Sequence, residues 1–204
     1  MIEAKDALIR LKEGNLRFLA GESEQMQIDA LIRSQLLTDQ APFAIILGCS
    51  DSRVPAEIVF GQGVGDLFVI RVAGNIVAPS QIGSIEFAAE KFGTRLVVVL
   101  GHTKCGAVEA TLEQLEQPTE SRSPNLFAIV DRIRPAIEPL VDSSTIEEPE
   151  ELLRRAVRCN IEASVEKLRH GSDILESLIE TEDLLIVGAE YCLDTGEVDF
   201  FDIP

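Results

Sequence analysis

The sequence predicts an α/β fold in which a mostly parallel central sheet is flanked by helices. Two patterns and one length point there. Four short apolar runs rich in β-branched residues recur along the chain, as strands buried on both faces do. Between them lie stretches with apolar residues at helical spacing, and strands alternating with helices build parallel sheets. At 204 residues the chain suits one domain with a full core and is short for two. A single domain over residues 1–204 is expected, with an N-terminal helical arm over 1–40 and an α/β core over 41–204.

In chain order, Ala4, Leu8, Leu11, Asn15 and Phe18 fall at helical spacing and Gly21 is a natural stop, which predicts a first helix. Residues 29–37 (DALIRSQLL) open like a second. The runs at 43–48 (FAIILG), 67–72 (LFVIRV), 95–101 (RLVVVLG) and 184–188 (LLIVG) predict four parallel strands. Helical patterns cover 80–92, 105–116 and 150–170, the last closed by Gly171. The proline-dotted segment 117–149 reads as surface connection around a helix near 125–133. Asp194, Thr195 and Gly196 signal a turn, after which 197–201 (EVDFF) predicts an antiparallel edge strand.

Composition narrows the function. A 46% hydrophobic and 26% charged chain is an ordinary globular one. No apolar run approaches the ~20 residues a bilayer needs, so no membrane partner is expected. The opening MIEAKDALIRLKEGNLRFLAG has charges throughout, unlike a secretory signal, and a cytoplasmic location is the expectation. A formal charge of −17 opposes nucleic acid phosphates, which leaves a small molecule or a protein as partner. Residues 72–75 (VAGN) lack the dinucleotide fingerprint, so nucleotide binding is rejected. Asp66 reads as a turn residue, and His170 as a helix end beside Gly171.

The chemistry gathers in two segments. CSDSRV at 49–54 and GHTKCG at 101–106 follow the first and third predicted strands, at the carboxyl ends where open α/β sheets bind ligands. If the chain winds outward from the first strand and returns to the other side of it, the two ends face each other. Cys49 and Asp51 are two apart and point the same way from extended backbone. His102 ends a strand, while Cys105 opens a helix whose positive end favours a thiolate. Two thiolates, an imidazole and an oxygen donor suit Zn²⁺ in tetrahedral geometry, one ion per chain, whereas Mg²⁺ or Ca²⁺ would want oxygen throughout. The bland alternative, two core cysteines with a helix-start histidine and a capping aspartate, does not explain why all four meet at strand ends. For Cys159 and Cys192 the bland reading stands, since they have no such company.

These motifs, with GDLFVIRVAGNIV, EFAAEKFGT and YCLDTGEV, resemble a β-class carbonic anhydrase, densely over residues 40–108 and loosely beyond. The resemblance implies zinc on Cys49, His102 and Cys105, with Asp51 and Arg53 as the catalytic pair. Asp51 would either bind the zinc or turn to Arg53; in the second state water or hydroxide takes the fourth position and attacks CO2 to give bicarbonate. Gln40 matches a glutamine that orients substrate, the N–H of Gly106 is a candidate donor, and Val54 and Phe68 would wall the CO2 pocket. A homodimer or homotetramer is implied, with N-terminal helices embracing the neighbour and the site at the interface. Ile46 replaces a tryptophan of a second, inhibitory bicarbonate site that some bacterial members have, although Arg71 and Tyr191 match its other members. Phe87 stands where many relatives have a tyrosine. Hydrolysis of carbon disulfide or carbonyl sulfide on the same scaffold is the alternative activity, and a closed structural zinc module the alternative class; Arg53 argues against the latter, because a closed site needs no group that draws a ligand away.

Overall fold

The computed structural model describes residues 2–22, 30–116, 123–143 and 148–201. The four apolar runs form parallel strands β1 (Ala44–Gly48), β2 (Leu67–Arg71), β3 (Leu96–His102) and β4 (Leu185–Tyr191), and β5 (Val198–Phe201) closes the sheet antiparallel to β4. The strand order is β2-β1-β3-β4-β5. The chain thus leaves β1 for β2 on one side and comes back to place β3 on the other, which puts the switch point between β1 and β3. β4 runs three residues beyond the predicted 184–188. Glu190 and Tyr191 end its apolar run, yet β3 and β5 pair with both and continue the ladder.

Side chains along the strands divide by alternation into two cores. Ile45, Leu47, Val97, Val99 and Ile186 face one side, where α4 (Pro79–Lys91), α5 (Gly106–Glu116), α6 (Pro124–Ser143), α7 (Pro149–Arg169) and α8 (Asp173–Thr181) pack. Ala44, Ile46, Leu96, Val98, Leu100 and Val187 face the other, covered by α1 (Ala4–Leu19) and the short α3 (Ala56–Val59). α1 buries Ala4, Ala7, Leu8 and Leu11 against the sheet of its own chain. Asn15 ties it down: its side chain donates to Val59 O at 3.1 Å and Gly196 O at 3.0 Å, and accepts from Val198 N at 3.0 Å. A buried amide with every group paired costs little, and here it fixes a helix to a strand far away in sequence. The predicted second helix is present as α2 (Ala30–Gln35).

One expectation is corrected. The segment 117–149 is not mainly irregular: α6 runs for 20 residues with Pro135 and Pro139 inside it. Each proline removes an i→i−4 bond, normally enough to break a helix. Burial of Val130, Ile133 and Ile137 against α5 and α7 outweighs the loss. α8 also escaped the sequence reading, although Ser172 caps it by accepting from Leu175 N at 3.2 Å. Asp66 takes the turn role expected of it, accepting from Gly63 N at 2.6 Å and from Arg10 at 2.8 Å. No helix among the described residues is long and apolar enough to cross a membrane.

Candidate metal centre

The carboxyl ends of β1 and β3 lie side by side, Gly48 beside Leu100, so the segments that follow them meet. Cys49 leaves β1 directly into a turn in which Val54 N donates to Asp51 O at 3.1 Å. Arg71, the last residue of β2, pins that turn: Nε donates to Cys49 O at 3.0 Å and Nη2 to Asp51 O at 2.6 Å. On β3, His102 is the final strand residue. Thr103 behind it is held to the β4 side, its N–H donating to Tyr191 O at 3.0 Å and its hydroxyl accepting from Leu193 N at 3.0 Å. Cys105 then sits where a helix cap belongs, its carbonyl accepting from Glu109 N at 3.0 Å.

The donor atoms of Cys49, His102 and Cys105 all lie within 4.8 Å of one another, and all three residues are buried. That is the compass of one ion's coordination sphere, whose tetrahedral ligands stand roughly 3.8 Å apart at metal–sulfur distances of ~2.3 Å. The imidazole is prepared for it. His102 Nδ1 is 2.9 Å from Thr103 O, and a carbonyl only accepts, so Nδ1 carries the proton and Nε2 the lone pair. Nε2 is fully buried with no hydrogen-bond partner. A buried imidazole lone pair beside two thiols is a donor set that a metal ion would satisfy. Cys159 and Cys192 stand outside this cluster.

The two thiols share their acidity unequally. Cys49 is pulled down, first because the Cys105 thiol donates to it, with His102 and the amides of Asp51 and Gly74 adding to the effect against burial. Cys105 is pushed up by the same sharing with Cys49 and by burial, although the amides of Val108 and Ala107 at the start of α5 oppose this. Two thiols in contact hold one proton between them, and the amides at the start of α5 act on Cys105 in the direction expected of a helix end. A cation between the sulfurs removes that last proton, since a coordinating thiol is deprotonated outright. Burial lowers the His102 pKa, but its contacts with Cys49 and Thr103 O outweigh it and the net shift is upward.

Asp51 stands beside the trio rather than in it. Arg53 holds both its oxygens, Nε to Oδ1 at 2.9 Å and Nη2 to Oδ2 at 2.7 Å, and the Arg53 amide adds a third bond to Oδ1 at 2.9 Å. The Arg53 side chain therefore keeps the carboxyl well below the usual carboxylate range. Even so gripped, Asp51 Oδ2 is only 3.8 Å from His102 Nε2.

The other residues named from the sequence lie at various distances from this centre. Gly106 follows Cys105 and opens α5, exposed and with open space where a Cβ would point. Val54 adjoins the Asp51 turn, but its side chain is 2% exposed and belongs to the core on the α1 side. Phe68 pairs in register with Ile45, three residues before Gly48, and stacks among Phe87 and Phe92. Gln40 is exposed at the opposite end of β1. Thr94 Oγ1 donates to Pro42 O at 2.6 Å and Phe43 N to Asp66 O at 2.9 Å, which anchors residues 42–43 where β2 and β3 begin. Two residues of chain reach ~7 Å and β1 spans about 16 Å, so Gln40 does not reach the trio of its own chain.

Gly74 was passed over in the sequence. It lies in the short 3₁₀ turn Ala73–Asn75 after β2, the VAGN stretch, and its N–H donates to Cys49 Sγ at 3.4 Å. Its φ of +67° and the Ile133 Cδ1 atom 2.8 Å from where a Cβ would stand both require glycine. The position of VAGN at a strand's carboxyl end was the available signal, and the missing fingerprint led away from it.

Comparison with known proteins agrees with this geometry. The family model described as "Carbonic anhydrase" matches residues 44–198. The chain is 38% identical over 188 residues to "Carbonic anhydrase 2" of Mycobacterium tuberculosis, covering 91% of this chain and 87% of that one. Among solved structures it is similar to the β-carbonic anhydrase CafA of the fungal pathogen Aspergillus fumigatus, with a TM-score of 0.76 at 26% identity over 97% of this chain and 90% of the other. It also shares the fold of a structure from Sordaria macrospora whose report describes two tetrameric β-carbonic anhydrases, with a TM-score of 0.73 at 23% identity over 97% and 98% of the two chains.

Proposed function

This chain belongs to the β-class carbonic anhydrases, and from that premise we propose that it catalyses the zinc-dependent, reversible hydration of CO2 to bicarbonate and a proton. The observation that carries the reading is the buried trio of Cys49, His102 and Cys105, with His102 Nε2 free and a fourth potential ligand, Asp51, held aside by Arg53. Two thiolates and an imidazole suit zinc better than any oxygen-seeking cation. Zinc in this cradle supplies the acidity that makes a nucleophile from water near neutral pH.

The protein's own groups do the rest. Arg53 keeps Asp51 ionised and turned away, which leaves one position free for water. Asp51, an acceptor only, orients a proton on that water. The amide of Gly106, at the start of α5, is aimed by the helix end at a developing negative oxygen. Val54, beside the Asp51 turn, and Phe68, further back on β2, are the apolar residues we assign to the wall on which CO2 approaches. Gln40 serves as an orienting donor only across an interface between copies, since it stands at the far end of β1; this supports assembly as a homodimer or homotetramer, and the Sordaria macrospora fold neighbour comes from a tetrameric pair. We take residues 1–204 as one domain, with the stretch 1–40 contributing to that interface, in a cytoplasmic protein that binds neither membranes nor nucleic acid.

Stopped-flow CO2 hydration on metal-verified protein tests the reading. Activity should rise with alkalinity, because two thiolates offset the ion's charge and lower water acidity less than three neutral histidines would. A zinc-loaded protein that stays inactive at high pH would instead be a structural metal module. Bicarbonate should act as a simple competitor. The second bicarbonate site of some relatives lacks its tryptophan here: Ile46 is fully buried in the core, and the Arg71 guanidinium already holds the carbonyls of Cys49 and Asp51. A ligand shifts a conformational equilibrium only by its differential affinity, and these groups offer none. Steep, sigmoidal inhibition at moderately alkaline pH would contradict this.

A further inference from the structure

Behind Cys49 lies a layer of side chains to which the reaction assigns no role. The turn Ala73–Asn75 carries two successive left-handed residues, Gly74 with φ +67° and Asn75 with φ +43°. Glycine adopts it freely, but for Asn75 it persists only where the surroundings support it. Here α7 supports it. Asn160 Nδ2 donates to Gly74 O at 2.9 Å, and one helical turn later Ser164 Oγ donates to Asn75 O at 3.3 Å, both bonds buried. Asn160 is 3% exposed and Ser164 6%. Between them Ile161, fully buried, rests on β3 just before His102: a Cβ at Gly101 would lie 2.4 Å from Ile161 Cδ1. One helix face thus buttresses the end of β3 that carries His102 and the turn whose N–H reaches Cys49 Sγ.

We propose that Asn160, assisted by Ser164, is a positioning residue of the metal centre: by holding the Gly74 and Asn75 carbonyls it aims the Gly74 N–H at Cys49 Sγ, and so sets how strongly that thiolate donates to a bound divalent ion. The inference rests on the reading of Cys49, His102 and Cys105 as the ligands. An N–H directed at a thiolate draws on its lone pairs, lowering their energy. Partners of a ligand are known to govern metal affinity as well as orientation. Asn160 and Ser164 touch neither ion nor substrate and act through the turn.

Cobalt(II) substitution provides the readout, because thiolate-to-metal charge-transfer absorption reports the energy of the sulfur lone pairs. In Asn160→Ala the band should move to lower energy as the sulfur lone pairs rise, and zinc affinity measured by chelator competition should fall about 10-fold because Cys49 is no longer held in place, a loss that outweighs the stronger donation. Val165→Ala, a purely apolar truncation on the same buried helix face, should lower thermal stability and leave the band in place. Ser164→Ala should shift the band in the same direction by less, and it carries the test if Asn160→Ala does not fold. A wild-type cobalt protein without thiolate bands sinks the ligand assignment itself. Normal wild-type bands that stay unmoved in folded Asn160→Ala, or in Ser164→Ala where the former does not fold, overturn the positioning role alone. An equal shift in Val165→Ala overturns it too, by making the effect one of packing.

Discussion

Arg53→Ala is expected to keep its fold and its metal while losing CO2 hydration by about 10–100-fold. The side chain is largely exposed and packs little, so the fold does not depend on it. Its contribution is the bidentate grip on Asp51, and losing a partner that orients a group beside a metal centre typically costs about 10–100-fold in activity. Freed of Arg53, the Asp51 carboxylate, already 3.8 Å from His102 Nε2, turns to the ligand trio and takes the position that water needs. Lysine at this position should rescue poorly, because a point charge attracts Asp51 without holding both oxygens in one plane. Hydration rates, zinc content and a crystal structure of the variant at alkaline pH check the three parts together. A fully active variant with Asp51 still turned away would leave Arg53 as a merely structural partner.

Cys105→Ser should lose zinc, and with it essentially all activity, because thiolate is the donor that holds this ion most firmly. The substitution is a clean one. Serine is among the best helix caps, and Cys105 occupies the cap of α5, so the helix should form as well or better. Metal analysis after dialysis, with circular dichroism for the fold, should find about one zinc per wild-type chain and almost none in the variant. Native protein that is folded and free of zinc would show the ligand assignment to be wrong.

Much of the site was legible locally. Cysteine, aspartate and histidine directly after apolar β-branched runs say that donors emerge from strand ends, since strand periodicity and burial are read from neighbours in sequence. The pairing of CSDSR with HTKC was not local: it rested on an assumed winding and on the resemblance, and the strand order β2-β1-β3 supplies it. What failed in the sequence was non-local. Pro135 and Pro139 looked like breakers because their cost is local, while the burial of Ile133 and Ile137 that offsets it belongs to α5 and α7. VAGN looked like an incomplete nucleotide motif because its partner, the Cys49 sulfur, lies just past the end of another strand.

By itself, then, the sequence determined the α/β class, the strands, and the three soft donors with an acid–base pair beside them, all properties of a residue and its near neighbours. Tertiary structure decided which groups complete the site. It turned the Gly74 amide onto Cys49, set Arg71 across the Asp51 turn, and brought Asn160 and Ser164 against a turn more than eighty positions away. A hydrogen bond depends on direction and on a few tenths of an ångström, and between residues so far apart in the chain only the packing of α7 on the sheet supplies both.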